Sequence, residues 1–279
     1  MTRSRDFMQV DVFTTTPYLG NPVAVVLDGT DLSDEQMQGV ASWTNLSETT
    51  FVFPPTAPAA DYRVRIFTPT SELPFAGHPT LGTAHAFMAI SGRAPDTLVQ
   101  ECAAGLVPLR RTEAGLAFGA PPLVRSGPVD EDLLAEVLAL LGLERSEMVE
   151  ARWVDNGPGW LVLWLGDAAQ VLQVRPGRFG AVDYKVGIVG PYPPGSPYAY
   201  EVRAFCPGNG AAVEDPVTGS LNASVAQWLV GTGQVQTPYV VSQGTALSRV
   251  GRVHIDRDGD GAIWVGGGTV TCVTGAIVI

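Results

Sequence analysis

An internal echo constrains the fold of this chain more than any other feature. Arg65-Ile66-Phe67-Thr68-Pro69 matches Arg203-Ala204-Phe205-Cys206-Pro207, 138 residues further on. His78-Pro79-Thr80-Leu81-Gly82 matches Asp215-Pro216-Val217-Thr218-Gly219, 137 residues on. Phe, Pro and Gly recur at strand ends for local reasons, and that accounts for either match alone. It does not account for two matches at nearly one spacing. The pattern implies a structural duplication, and hence two related lobes. In each half a strand runs into a turn, then a Pro-rich loop, then an apolar helix. A break at Pro121 to Pro128 sets the expected boundary. It gives an N-terminal lobe of residues 1–120 and a C-terminal lobe of residues 121–279, with the last strand open to joining the first lobe.

The segment QVDVFTTTPYLGNPVAVVLDG reads strand, turn, strand, with Gly20, Asn21 and Pro22 in the turn. Ser33 starts a helix in SDEQMQGVASWTN, where Gln36 completes a capping box. The run Pro79 to Ile90 is apolar on most faces, which predicts a central helix enclosed by a sheet. Leu221 to Leu229 repeats that pattern. After the break, DEDLLAEVLALLG is an acidic-capped helix. Strands are expected at 98–110, 113–120, 151–153, 160–165, 184–189, 198–205, 251–255, 262–265 and 269–279. The chain is therefore α+β, with many antiparallel links rather than a regular strand–helix alternation.

Charge and cysteine content exclude several classes of function. The chain has 279 residues, 17 basic and 28 acidic, for a net charge of −11. That field is expected to repel nucleic acid and acidic membranes. No uninterrupted run of about 18 apolar residues reads as a membrane span. The start, MTRSRDFMQV, lacks the pattern of a secretory signal, so a cytoplasmic location is expected. Cys102, Cys206 and Cys272 are odd in number and wrongly spaced for a metal knuckle. DRDGDG, at Asp256 to Gly261, begins like a calcium loop but has Gly267 at the twelfth place, so it reads as a hairpin turn. No Gly-x-Gly-x-x-Gly follows the first strand, and Gly208-Asn209-Gly210 is only a turn-like fragment.

The paired loops suggest chemistry of another kind. Each leads to a helix start, where Pro79 and Pro216 are expected in the first turn. Unpaired N–H groups at a helix start can hold a small carboxylate. If the halves face each other, His78 and Asp215 lie near that ligand, and Ser220 adds a hydroxyl or its N–H. Glu48, in Asn45-Leu46-Ser47-Glu48-Thr49-Thr50-Phe51, reads in two ways. It is either a strand-end acid or a poorly solvated carboxylate with raised proton affinity, able to take a proton from carbon and return it elsewhere. His85 reads as packed or interfacial, His254 as structural. Glu72 and Glu214 precede the loops and are candidates to orient backbone. Asp11 and Asp61 read as structural.

DVFTTTPYLGNPVAVV, NLSETTFV, RIFTPTSELPFAGHPTLGTAHA and RAFCPGNGAAVEDPVTGS together resemble the phenazine-biosynthesis PhzF-like family, over nearly the whole chain. The resemblance implies a diaminopimelate epimerase-like fold. Each of its two lobes is a curled, mostly antiparallel sheet around a central helix, with the active site between the lobes, and members are commonly homodimers. It implies an isomerase of the trans-2,3-dihydro-3-hydroxyanthranilate type that uses neither metal nor organic cofactor. By that resemblance Glu48 moves the proton, with His78 and Asp215 as further catalytic residues. Gly77, Gly219 and Ser220 contact a small carboxylate substrate. The related epimerases and racemases use two opposed cysteines, and none stands at the corresponding places here. Leu221 departs from the small residues the family has after Thr-Gly-Ser and is expected to narrow or reshape the pocket. Two rival readings stay open: a non-catalytic small-molecule-binding member of the same fold, and an epimerase.

Overall fold

The computed structural model describes residues 2–178, 184–207 and 212–279, so the Gly208-Asn209-Gly210 fragment lies outside the described residues. In chain order the elements are β1 (Ser4–Val12), β2 (Asn21–Val26), α1 (Asp34–Thr44), β3 (Glu48–Phe53), β4 (Tyr62–Phe67), β5 (Glu72–Leu73), α2 (Gly77–Ser91), β6 (Thr97–Cys102), β7 (Gly105–Thr112) and β8 (Gly115–Gly119). There follow β9 (Arg125–Pro128), α3 (Glu131–Leu141), β10 (Met148–Asp155), β11 (Trp160–Leu165), α4 (Ala168–Gln173), β12 (Lys185–Pro191), β13 (Tyr200–Pro207), β14 (Ala212–Asp215), α5 (Gly219–Gly231), β15 (Tyr239–Gln243), β16 (Gly251–Arg257), β17 (Ile263–Gly267) and β18 (Thr269–Val278). No helix among the described residues is long and apolar enough to cross a membrane.

The chain divides into two compact units. One is Met1–Gly119 with Gly266–Ile279, and the other is Ala120–Val265. In the first, β18 pairs with β1, β1 with β2, β3 with β4, β6 with β7 and β7 with β8, all antiparallel. The pairs β2–β3 and β4–β6 are parallel, bridged by α1 and α2 as crossover helices. In the second unit β9–β10, β10–β11, β12–β13 and β15–β16 are antiparallel. There β11–β12 and β13–β15 are parallel, bridged by α4 and α5. The two lists are one topology written twice. The observed class is α+β, with each unit a mostly antiparallel sheet curled around a central helix. The last strand takes in the first unit the place that β9 takes in the second.

α2 and α5 are those central helices. α2 touches β1, β2, β3, β6, β8 and β18. It is buried from Gly77 through Ala84, and α5 is buried from Gly219 through Ala226. Both sit close to their sheets because glycine leaves room, though on opposite sides of the contact. A Cβ on Gly82 of α2 would stand 2.4 Å from Val23 Cγ1. A Cβ on Gly187 of β12 would stand 2.6 Å from Leu221 Cδ1 of α5. Leu221 therefore faces the sheet and is fully buried there, which corrects the expectation that it narrows or reshapes a pocket. The shorter helices cover the outer faces. α1 carries Met37 and Ala41 onto Val26, Phe51 and Phe67, and α3 and α4 seal a core around Leu161, Leu163, Ile188 and Phe205. The capping box on α1 is present, with Ser33 and Gln36 each accepting the other's backbone N–H.

The duplication also has a side-chain signature, and it corrects the second sequence match. Arg65 donates to both carboxylate oxygens of Glu72 (2.7 and 2.6 Å), and Arg203 does the same to Glu214 (2.9 and 2.8 Å). Each guanidinium also lies over a phenylalanine on its own strand, Phe67 or Phe205. In the ladders Glu72 stands opposite Phe67 and Glu214 opposite Phe205. The equivalent stretches are thus Glu72-Leu73-Pro74-Phe75-Ala76-Gly77 and Glu214-Asp215-Pro216-Val217-Thr218-Gly219, each ending on the first residue of a central helix. Asp215 corresponds to Leu73, and His78 to Ser220. The spacing misled because eight residues lie between Phe205 and Glu214 where four lie between Phe67 and Glu72. Pro216, like Pro74, precedes its helix, while Pro79 is the third residue of α2. DRDGDG closes a tight turn between β16 and β17, where Asp258 accepts the N–H groups of Asp260 and Ala262.

Replacing Gly82 with Ala is expected to lower stability by about 1–3 kcal/mol through overpacking. Gly39→Ala, on the open face of α1, should raise it by roughly 0.5–1 kcal/mol. Urea titrations of both variants check the pair. The two Arg–Glu clamps differ in burial: side-chain exposures are 4% and 12% for Arg203–Glu214 against 26% and 36% for Arg65–Glu72. Glu214→Gln, which strands a buried guanidinium, should cost about 3–5 kcal/mol. Glu72→Gln should cost about 1 kcal/mol or less.

Candidate active site

Glu48 is the first residue of β3 and stands opposite Val23 across the parallel β2–β3 ladder. It follows the end of α1, where Asn45 turns the chain in the left-handed region. Its side chain is 15% exposed. His78 is the second residue of α2 and is buried. The structure brings these two together, with His78 Nε2 at 3.1 Å from Glu48 Oε2. Both atoms are enclosed, and the contact is a close approach rather than an aligned hydrogen bond. On the other edge of the ring, Asn21 Nδ2 lies 3.2 Å from His78 Nδ1.

Burial is the main influence on His78, and it draws the imidazole down to about 3, with the Pro22 carbonyl pulling weakly the other way. The Glu48 carboxylate also favours an imidazolium, but in so closed a setting desolvation prevails. His78 is therefore neutral at pH 7. A neutral ring brings no positive charge of its own to the Glu48 carboxylate. It also offers one N–H and one lone pair, so the choice of tautomer has chemical meaning.

The start of α2 carries no side-chain cap: its N-cap is Ala76, and the first turn holds no acidic residue. The N-terminal N–H groups of α2 are left to partners outside the helix. Gly77 opens this turn.

In the second unit Asp215 ends β14 and precedes α5. Its Oδ2 accepts the Thr218 hydroxyl at 2.5 Å. Gln243 holds the same loop. It donates to Thr218 Oγ1 and to the Asp215 carbonyl, and it accepts from the Thr218 N–H and Asn222. Gly219 and Ser220 are the first two residues of α5, whose N-cap Thr218 makes no side-chain cap. Ser220 Oγ accepts the Trp160 indole N–H at 3.0 Å, and its carbonyl accepts from Asn156.

Sequence reasoning placed Asn21 only in a turn and gave no role to Asn156 or Gln243. The available signal was an Asn wedged between Gly20 and Pro22 just before an apolar strand. The remaining candidates behave structurally. Asp11 accepts the Gly20 N–H at 3.0 Å, and Asp61 accepts the Val99 N–H. Glu72 and Glu214 engage arginines rather than backbone. His85 Nε2 meets Thr271 Oγ1.

A family model described as phenazine biosynthesis-like protein matches residues 10–275. The chain is 36% identical over 293 residues to antisense-enhancing sequence 1 of Schizosaccharomyces pombe, covering 96% of this chain and 97% of the relative. It is 36% identical over 262 residues to the trans-2,3-dihydro-3-hydroxyanthranilate isomerase of Pseudomonas aeruginosa, covering 91% of each. Among solved structures, the PhzF-family phenazine biosynthesis protein of Bacillus anthracis gives a TM-score of 0.83 at 22% identity, covering 99% of this chain and 100% of that one. At that identity the likeness shows the fold alone.

The state of His78 sets a pH dependence of stability. Its folded value lies below the unfolded one of 6.5, so only the unfolded chain takes up this proton as pH falls from 6.5 toward about 3. The contribution is fully present above pH 6.5 and is lost through that window, at up to about 1.4 kcal/mol per unit. A His78→Gln variant should show a flatter decline in melting temperature across the same window than the parent. Equal slopes would place His78 in a solvated setting.

Proposed function

The chain belongs to the phenazine biosynthesis-like, PhzC-PhzF family, and from that premise we propose that it shifts a proton between two carbons of a small conjugated carboxylate, with Glu48 as the acid–base group. The observation that carries this reading is the Glu48 carboxylate set 3.1 Å from a neutral His78. A carbon acid flanked by a conjugated system and a carboxylate spreads the charge left on deprotonation. One well-placed carboxylate can then remove the proton from one carbon and return it to another along the same face. The substrate is trans-2,3-dihydro-3-hydroxyanthranilate or a secondary-metabolite intermediate of that kind, by likeness to the Pseudomonas aeruginosa isomerase. By the same likeness, His78 and Asp215 assist the reaction, and Gly77, Gly219 and Ser220 contact the substrate. No metal or organic cofactor enters the proposed step. The homodimer implied by the family belongs to the same proposal and is checked by sedimentation equilibrium.

Incubation with trans-2,3-dihydro-3-hydroxyanthranilate and related dienyl carboxylates in heavy water tests the reading. A moved double bond, with deuterium on substrate carbon, is expected. Glu48→Gln should slow turnover by roughly 10²–10⁴-fold. Inversion at one carbon with the double bonds in place would point to an epimerase instead. No exchange with any of these compounds would favour a binding protein, and a Glu48→Gln variant of undiminished rate would remove Glu48 from the chemistry.

A further inference from the structure

Asn21 is placed with more care than a turn residue needs. The β1–β2 ladder sets Val12 opposite Asn21 and Asp11 opposite Pro22. The buried Asp11 carboxylate holds the Gly20 N–H at 3.0 Å. A Cβ on Gly20 would lie 2.3 Å from the Val12 carbonyl oxygen, so only glycine allows this approach. These constraints deliver the Asn21 side chain, itself fully buried, to within 3.2 Å of His78 Nδ1.

We propose that Asn21 is a positioning residue that fixes the tautomer of His78 by donating its amide N–H to Nδ1. The inference rests on the reading of Glu48 as the proton carrier. With Nδ1 accepting, the single ring proton sits on Nε2, the nitrogen 3.1 Å from Glu48 Oε2. Two consequences follow for Glu48. Before transfer, the carboxylate faces an N–H at close approach rather than a lone pair. After Glu48 has taken the substrate's proton, Nε2 has no lone pair to receive it. Return of the proton from Glu48 to carbon is thereby favoured over its loss through His78, while exchange of the Glu48 acid proton with solvent still delivers some deuterium. In the other tautomer Nε2 would be an acceptor and would draw the proton away from the substrate. Asn21 touches neither the substrate nor Glu48 in this scheme and acts only through His78.

The tautomer is read directly from long-range ¹H–¹⁵N spectra of the full chain labelled at its three histidines, with His78→Gln supplying the assignment. Unmodified protein is expected to show a protonated Nε2 and an unprotonated Nδ1. Asn21→Asp preserves shape but offers an acceptor, so it should reverse the pattern. Asn21→Ala should give a mixture. In turnover the near-isosteric Asn21→Asp should be the worse variant, losing roughly 10²-fold or more against roughly tenfold for Asn21→Ala. It should also raise the share of solvent deuterium in product. A purely structural Asn21 predicts the reverse order. A protonated Nδ1 in the unmodified protein would overturn the proposal without any variant having to fold. So would an Asn21→Asp protein that keeps the parent tautomer. Because the spectra need no substrate, they stand apart from the test of Glu48. Failure of Glu48→Gln to slow turnover would undo the functional reading and leave the tautomer assignment intact.

Discussion

α2 and α5 are apolar nearly all round, and such a helix is stable only where protein encloses it. That requirement organises each unit. A flat sheet can cover one side of a helix, so the sheet must curl, and the parallel crossovers carry the chain through its middle. The polar side chains on these buried helices then need partners from the surrounding strands. Thr83 donates to Thr50, Gln100 to Thr80, and Asn222 to Gln243. His78 enters the same enclosure. Its neutrality is a by-product of the packing that defines the fold, and the chemistry proposed for Glu48 depends on it.

The two units hold one topology with divergent contents. Both keep the Arg–Phe–Glu clamp and a Pro-x-x-Gly run into the central helix. Past that glycine they part: His78 stands where the second unit has Ser220, and Asp215 where the first has Leu73. Even the tight helix–sheet contact is solved differently, with the glycine on the helix in one unit and on the strand in the other. A shared backbone with unshared side chains suits a scaffold that was duplicated before its two copies took separate roles.

Much of this was legible in the sequence because local physics and tertiary demand agreed. Ser33 and Gln36 announce the α1 cap, alternation announces β1 and β2, and all-round apolarity announces α2 and α5. The internal match disclosed the duplication but aligned its second half wrongly, because a longer connection separates Phe205 from Glu214. Short elements escaped notice. α4 is a six-residue helix whose only local signal is the Asp167 cap, and the two residues of β5 carry no period. Glu48 and His78 were candidates by their place in the pattern, and the family resemblance assigned their roles. Asn21 was read as punctuation, since nothing in Gly-Asn-Pro says where an amide will point. The ring it meets lies 57 residues away.

β18 has a bearing on how the chain is made. It pairs with β1 along its length, from Ser4 opposite Val278 to Val12 opposite Thr269. A ribosome delivers β18 only after the whole second unit. Through most of synthesis β1 therefore waits with one edge bare, while the second unit already has β9 in hand, since β9 emerges just ahead of its partner β10. The earlier-made unit is thus the later one to close. A nascent chain arrested before residue 266 would display an open strand edge to any passing chaperone.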